Sequence, residues 1–285
     1  MNPYVQLVDD HARWFRDGRK LPLGGFPAPV RPTPAADAPL AMIFSPHPDD
    51  ECIEGGLPLR LQIECGWRVT NVAVTQGSRR DRQAARLEEL RAACGYLGFG
   101  LETIGERGLE NVTPQSRIDD PVGWTEKVRT IAGILRRHRP RLILFPQDKD
   151  WNGTHIGVHL LVMDALSHLG SGFQCNLLET EFWGQNYNPN LLVEIPAPVL
   201  VDLVTALTFH AGEVHRNPYH LTLAAWMMNN VRLGGETVGG QGSAPPDFPF
   251  GTVYRLRRWA DGWVQDAFKG GRIIRASDDP SVFLN

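Results

Sequence analysis

Leu40-Ala41-Met42-Ile43-Phe44-Ser45-Pro46-His47-Pro48-Asp49-Asp50-Glu51 passes directly from an unbroken apolar run into a turn holding two prolines, an imidazole and three carboxylates. The run is too short for a helix and is stopped by Ser45-Pro46, so it reads as a strand buried on both faces of a parallel sheet. Upstream, Pro22, Pro27, Pro29, Pro32, Pro34 and Pro39 forbid a regular helix or central strand. Residues 1–39 are therefore a lead-in, a helix followed by a Pro-rich segment. Downstream, Glu51–Cys65 is apolar at helical intervals and Trp67–Thr75 is rich in β-branched residues, which completes a β-α-β unit. The pattern continues with a helix over Arg82–Leu97, a weaker strand over Leu101–Ile104, a helix over Pro121–His138 and a strand over Leu142–Phe145. A helix over Thr154–Leu169 with Thr154 as its cap and a strand over Leu177–Phe182 follow. Such alternation predicts an α/β fold, a Rossmann-like, mostly parallel sheet with helices on both faces. Beyond Pro196 come helical stretches near Val199–His210 and Leu221–Val231, a Gly-rich loop over 234–242, and strands over Thr252–Trp259 and Trp263–Phe268. That tail reads as a C-terminal helical and β-hairpin extension.

Composition narrows the function classes. With 42% apolar and 21% charged residues the 285-residue chain is an ordinary globular protein rather than a disordered one. A net charge of −3, spread without long runs, advertises no face for a polyanion, so nucleic acid is not an expected partner. Cys52, Cys65, Cys94 and Cys175 show no C-x-x-C spacing and read as free thiols in a reducing cytosol. Charged residues interrupt Met1–Lys20, which therefore lacks the core of a signal peptide, and no run of about 18 apolar residues spans a bilayer. A cytoplasmic, soluble protein without a membrane span is expected, with a homo-oligomer left open.

Ligands in open α/β sheets bind beyond the carboxyl ends of the strands. After the first strand a dinucleotide site would need a G-x-G-x-x-G turn, whereas His47, Asp49, Asp50 and Glu51 stand there and would repel phosphate. An imidazole and a carboxylate three positions apart on a proline-stiffened turn can converge on one cation of the kind zinc represents. A second polar cluster, Pro146-Gln147-Asp148-Lys149-Asp150-Trp151-Asn152-Gly153-Thr154-His155 with His159 a turn later, follows the strand at 142–145 and should share the same rim. His47, Asp50 and one of these histidines would supply the three protein ligands common in catalytic zinc sites. Asp49 is left over, placed where a general base takes a proton from the attacking water.

These residues resemble the LmbE-like or PIG-L N-acetylglucosaminyl deacetylases over roughly residues 40–215. His47-Pro48-Asp49-Asp50-Glu51 after an apolar strand matches the family signature at every position. Arg86-Leu87-Glu88-Glu89-Leu90, after Thr75-Gln76-Gly77, looks like the family's R-x-x-E segment, whose arginine contacts substrate. The run ending in His155 resembles the family's H-P-D-H element, whose last histidine binds zinc, but Asn152 and Thr154 stand where the family has a histidine and an aspartate. Asn152 can donate a hydrogen bond to an oxyanion yet cannot deliver a proton near neutral pH. The acid would then be Asp49 after it has taken a proton, or one of His159, His210 and His215. His159 lies one helical turn beyond His155.

The resemblance implies a zinc-dependent amidohydrolase, with Fe2+ as the alternative metal, acting on the linear amide of an N-acyl amino sugar or related glycoside. Together with the reading of the residues, it puts the metal on His47, Asp50 and His155, the base at Asp49 and a substrate contact at Arg86, while Asn152 as oxyanion donor, His159 as acid and Asp148 for sugar hydroxyls are candidates from their positions alone. Residues 40–215 would form the deacetylase domain and 216–285 an extension packed on it. The departure at Asn152 and Thr154 motivates the alternative of a sugar- or metal-binding module with weakened turnover.

Overall fold

A computed structural model describes residues 2–284. Helix α1 (Tyr4–Gly18) has no buried residue and leads into the Pro-rich stretch. Strand β1 (Leu40–Ser45) is followed by α2 (Asp50–Glu54), α3 (Gly56–Cys65), β2 (Arg68–Ala73), α4 (Arg80–Leu97) and β3 (Gly100–Thr103). Next come α5 (Pro114–Asp119), α6 (Pro121–His138), β4 (Leu142–Pro146), α7 (Gly153–Leu169), β5 (Cys175–Thr180) and β6 (Leu191–Glu194). The chain continues through α8 (Ala197–Leu207), α9 (Ala211–Arg216), α10 (Leu223–Thr237), β7 (Gly251–Ala260), β8 (Trp263–Asp266) and β9 (Arg272–Ile274).

The strands form one sheet in the order β3-β2-β1-β4-β5-β7-β6-β9, with β8 hairpinned onto β7. Strands β3 to β5 are parallel, whereas β7 runs antiparallel to both β5 and β6. The expected mostly parallel α/β fold is borne out. Period-two alternation explains the continuous apolar strands: Ala41, Ile43, Leu142 and Leu144 enter one core, and Met42, Phe44, Ile143 and Phe145 enter the other. Helices α3, α4 and α8 fill the first core, and α6 and α7 fill the second.

Two features depart from the sequence reading. The helix expected over Glu51–Cys65 breaks at Gly55, where a Cβ would lie 2.6 Å from the Glu51 carbonyl oxygen. The Tyr254 hydroxyl bridges the break, donating to the Glu54 carbonyl and accepting from the Leu57 N–H. Strand β7, expected in the hairpin of a C-terminal extension, pairs with β8 but also inserts into the main sheet between β5 and β6, and it carries that tyrosine to the α2–α3 break. The sheet reverses strand order between β1 and β4, so the two polar clusters emerge side by side at its switch point.

Candidate metal centre and active site

His47 and Asp50 follow β1, and His155 lies in the first turn of α7 after β4. Their potential donor atoms form a nearly equilateral triangle. His47 Nδ1 is 3.2 Å from His155 Nε2, and Asp50 Oδ2 is 3.5 Å from each of them. Ligands at ~2.0–2.1 Å around a tetrahedral zinc stand about 3.3 Å apart, so the triangle has the size that such an ion demands. The three residues thus fit a divalent cation, and all three line a cavity of about 420 Å³.

Neighbouring groups preset the donors for a cation. Burial holds the His155 imidazolium down, which favours the neutral, metal-binding form. Burial raises Asp50, but the His155 and His47 rings and the His47 N–H, donating to Oδ2 at 2.8 Å, outweigh it and leave the carboxyl below its usual value. Behind His155, the buried Asp150 carboxylate stands 3.7 Å from Nδ1, a nitrogen with no other polar partner among the described residues. Asp150 also accepts the N–H groups of Asn152, Trp183 and Gly184, tying the 147–152 loop to the segment after β5. The Phe182 ring meets His155 edge-on at 4.7 Å.

Asp49 sits beside the triangle with φ 115°, a left-handed conformation that costs a non-glycine residue about 1–3 kcal/mol. Glu51 holds the strained turn: its Oε2 accepts the Asp49 N–H at 2.9 Å, while its Oε1 meets His210 Nε2 at 2.7 Å. The Asp49 carboxylate accepts the Tyr219 hydroxyl and lies 3.6 Å from Arg86 Nη2. Burial and the Asp50 charge push Asp49 up to about 7, against the pull of His210, Arg86 and Tyr219. A cation at the triangle would pull it down again. Burial and the Asp49 charge keep Tyr219 protonated, a donor only to its carboxylate partner.

The pocket gathers His47, Asp49, Asp50, Arg86, Asn152 and His155. Arg86 reaches it by donating to the Pro48 carbonyl at 3.0 Å, and Gly77 makes room, since a Cβ there would lie 2.5 Å from Arg86 Nη1. Asn152, not Thr154, caps α7: its Oδ1 accepts the N–H groups of Thr154 and His155, which leaves the side-chain NH2 as the free donor.

The structure leaves four named candidates, His159, Asp148, His210 and His215, outside the pocket lining. His159 Nδ1 donates to the Pro146 carbonyl at 2.9 Å and its ring packs on Phe145, so it supports the β4 end from behind. Asp148 accepts from Tyr187 and is not part of the cavity wall. Among the described residues, His47 and His155 are the histidines lining the pocket, and His210 and His215 are absent from it. Sequence reasoning missed Tyr219, Glu213, Arg216 and the pocket role of Trp226, whose Nε1 donates to Glu181 at 3.1 Å. All four lie beyond residue 210 and carry no local motif that would have signalled them.

Residues 42–166 match the family model described as PIG-L: GlcNAc-PI de-N-acetylase. Both arms of the donor triangle fall inside the matched residues, while Tyr219 and Arg216 fall outside them. No curated protein matches the sequence. Solved structures share the fold. N,N'-diacetylchitobiose deacetylase from Pyrococcus horikoshii is 18% identical, with a TM-score of 0.55 over 80% of this chain and 86% of its own. The zinc-inhibited form of teicoplanin deacetylase Orf2 is 14% identical, with a TM-score of 0.53 over 78% and 99%. GalB, the 4-carboxy-2-hydroxymuconate hydratase from Pseudomonas putida KT2440, is 18% identical, with a TM-score of 0.56 over 76% and 95%. The fold therefore hosts more than one reaction, and the choice rests on the site.

Proposed function

We propose that this chain is a metal-dependent hydrolase that removes an N-acetyl or related N-acyl group from an amino sugar or glycoside. The observation that carries this reading is the 3.2–3.5 Å triangle of His47, Asp50 and His155 opening onto a pocket with Asp49 at its side. The PIG-L match and the deacetylases among the structural neighbours support the choice of an amide. Zinc, with iron(II) as the alternative, would be held by the three donors and would supply Lewis acidity to the acyl carbonyl and the attacking water. Asp49 takes the proton from that water. Asn152, its oxygen committed to the α7 N-terminus, offers its NH2 to the developing oxyanion. As the C–N bond breaks, Asp49 returns its proton to the leaving amine, the role that a histidine at position 152 would otherwise share. Arg86 and Tyr219 keep the Asp49 carboxylate in place and favour its ionised form at the start of the cycle.

Metal analysis of the purified chain, combined with acetate release from a panel of N-acetyl glycosides, tests the proposal. Stoichiometric metal and acetate release are expected. A metal-loaded protein that binds an N-acetyl glycoside and releases no acetate would make it a binding module instead.

A further inference from the structure

Beside the catalytic cavity lies a second concavity of about 290 Å³, walled by Ser78, Arg79, Arg82, Arg86, Glu213 and Arg216. Ser78, Arg86, Glu213 and Arg216 also wall the first, so the two spaces adjoin. Four guanidinium groups face one carboxylate here, although the chain as a whole carries a net charge of −3. The concentration has a sequence origin. Arg82 and Arg86, four apart, share one face of α4, and Arg79 immediately precedes the helix as its extended N-cap residue. Arg216 comes to the same place from the end of α9.

Glu213 gathers these cations without satisfying them. It accepts from Arg82 at 3.0 Å and from Arg216, and it lies 3.9 Å from Arg86. A carboxylate has two oxygens, whereas each guanidinium has five N–H donors, so most of the donor capacity is not spent on Glu213. Arg79 pairs with Asp81 at the surface, with 70% and 64% of the two side chains exposed, an arrangement of low strength that a tighter anion can displace. No N-cap side chain closes the start of α4, which adds the positive end of the helix to the same region. The annex begins at Arg86, 3.6 Å from the Asp49 carboxylate.

We propose that this annex binds an anionic substituent of the substrate, a phosphate or a carboxylate, while the adjoining cavity holds the amide. Guanidinium forks match both anions in bidentate geometry. The proposal rests on the hydrolase reading for the identity of the rest of the substrate.

Titration calorimetry on the full, metal-loaded chain compares three probes: N-acetylglucosamine, N-acetylglucosamine 1-phosphate, and an N-acetylglucosaminide whose aglycone bears a carboxylate. At least one anionic probe should bind about tenfold or more tightly than the neutral sugar, and the anion that gains identifies the source. Arg79→Gln and Arg82→Gln should each shrink the anionic-to-neutral affinity ratio by roughly three- to tenfold. The substitutions separate contact with the annex from direct contact of phosphate with the cation. Where Arg82→Gln fails to fold, the exposed Arg79 carries the comparison. Equal affinity for all three probes, or an anionic preference that survives the substitutions, overturns the proposal. Acetate release on the same samples keeps the two readings apart. An arginine-dependent preference without acetate release sinks the hydrolase and leaves the annex standing, and acetate release without a preference does the reverse.

Discussion

His47 Nδ1 and His155 Nε2 stand 3.2 Å apart although 108 positions separate the residues in sequence. A cation held there would need both nitrogens free of protons, so its binding should weaken as pH falls. Alanine at His47, Asp50 or His155 should abolish stoichiometric metal in elemental analysis, and chelation should lower the melting temperature of the wild type but not of these variants. Asp150→Asn should retain metal with roughly 10- to 100-fold weaker affinity, because it alters the group facing His155 rather than a ligand. Full metal occupancy in all three alanine variants would show that the triangle is not the site.

Asp49 is the group whose loss should spare the metal and remove the chemistry. Asp49→Asn should keep metal content and lower kcat by about 10²-fold or more. Tyr219→Phe tests the same carboxylate through its partner. The hydroxyl bond lowers the Asp49 pKa, so its removal should move the acidic limb of the kcat/KM profile to higher pH. A profile unmoved by Tyr219→Phe would mean that the limb belongs to another group.

Glu54 makes stability pH-dependent from beneath the site. It is buried, one carboxylate oxygen accepts the Thr180 hydroxyl, and the other has no partner among the described residues. Burial, then the Asp50, Glu51 and Asp150 charges, push its pKa well up. With the folded pKa above the unfolded value, its contribution is complete below about pH 4.3 and declines as pH rises toward the folded pKa. Each pH unit inside that window costs about 1.4 kcal/mol. Glu54→Gln imitates the protonated acid, so denaturant unfolding of the variant should lose less stability between pH 5 and 8 than the wild type, by roughly that slope. Parallel pH profiles would show that Glu54 does not titrate differently in the folded state.

What the sequence revealed was what its local patterns encode. The apolar run at 40–45 and the His-Pro-Asp-Asp-Glu turn are contiguous, and the two arms of the candidate metal site could be joined because parallel strands place their carboxyl ends on one rim. Tyr219 was out of reach, since its contact with Asp49 spans 170 positions and depends on how α9 packs rather than on any spacing. His159 was misplaced for a related reason. Helical periodicity gives its face relative to His155, but it says nothing of the Pro146 carbonyl that claims its ring. Strand β7 was recognised as a strand, whereas its insertion between β5 and β6 follows from long-range packing.

Asn152 is where cap and catalysis meet, and two substitutions divide them. Its side-chain oxygen closes the first turn of α7, the turn that carries His155, while its NH2 is the donor left for the pocket. Asn152→Ala removes both functions and should cost about 1 kcal/mol in denaturant unfolding together with activity. Asn152→Asp keeps a carboxylate oxygen as the cap, so stability should stay close to wild type. The same change removes the amide donor and sets a negative charge beside the oxyanion, so kcat should fall by roughly 10²- to 10³-fold while metal content is retained. An aspartate variant with wild-type kcat would confine Asn152 to the helix terminus and transfer oxyanion stabilisation to the cation alone.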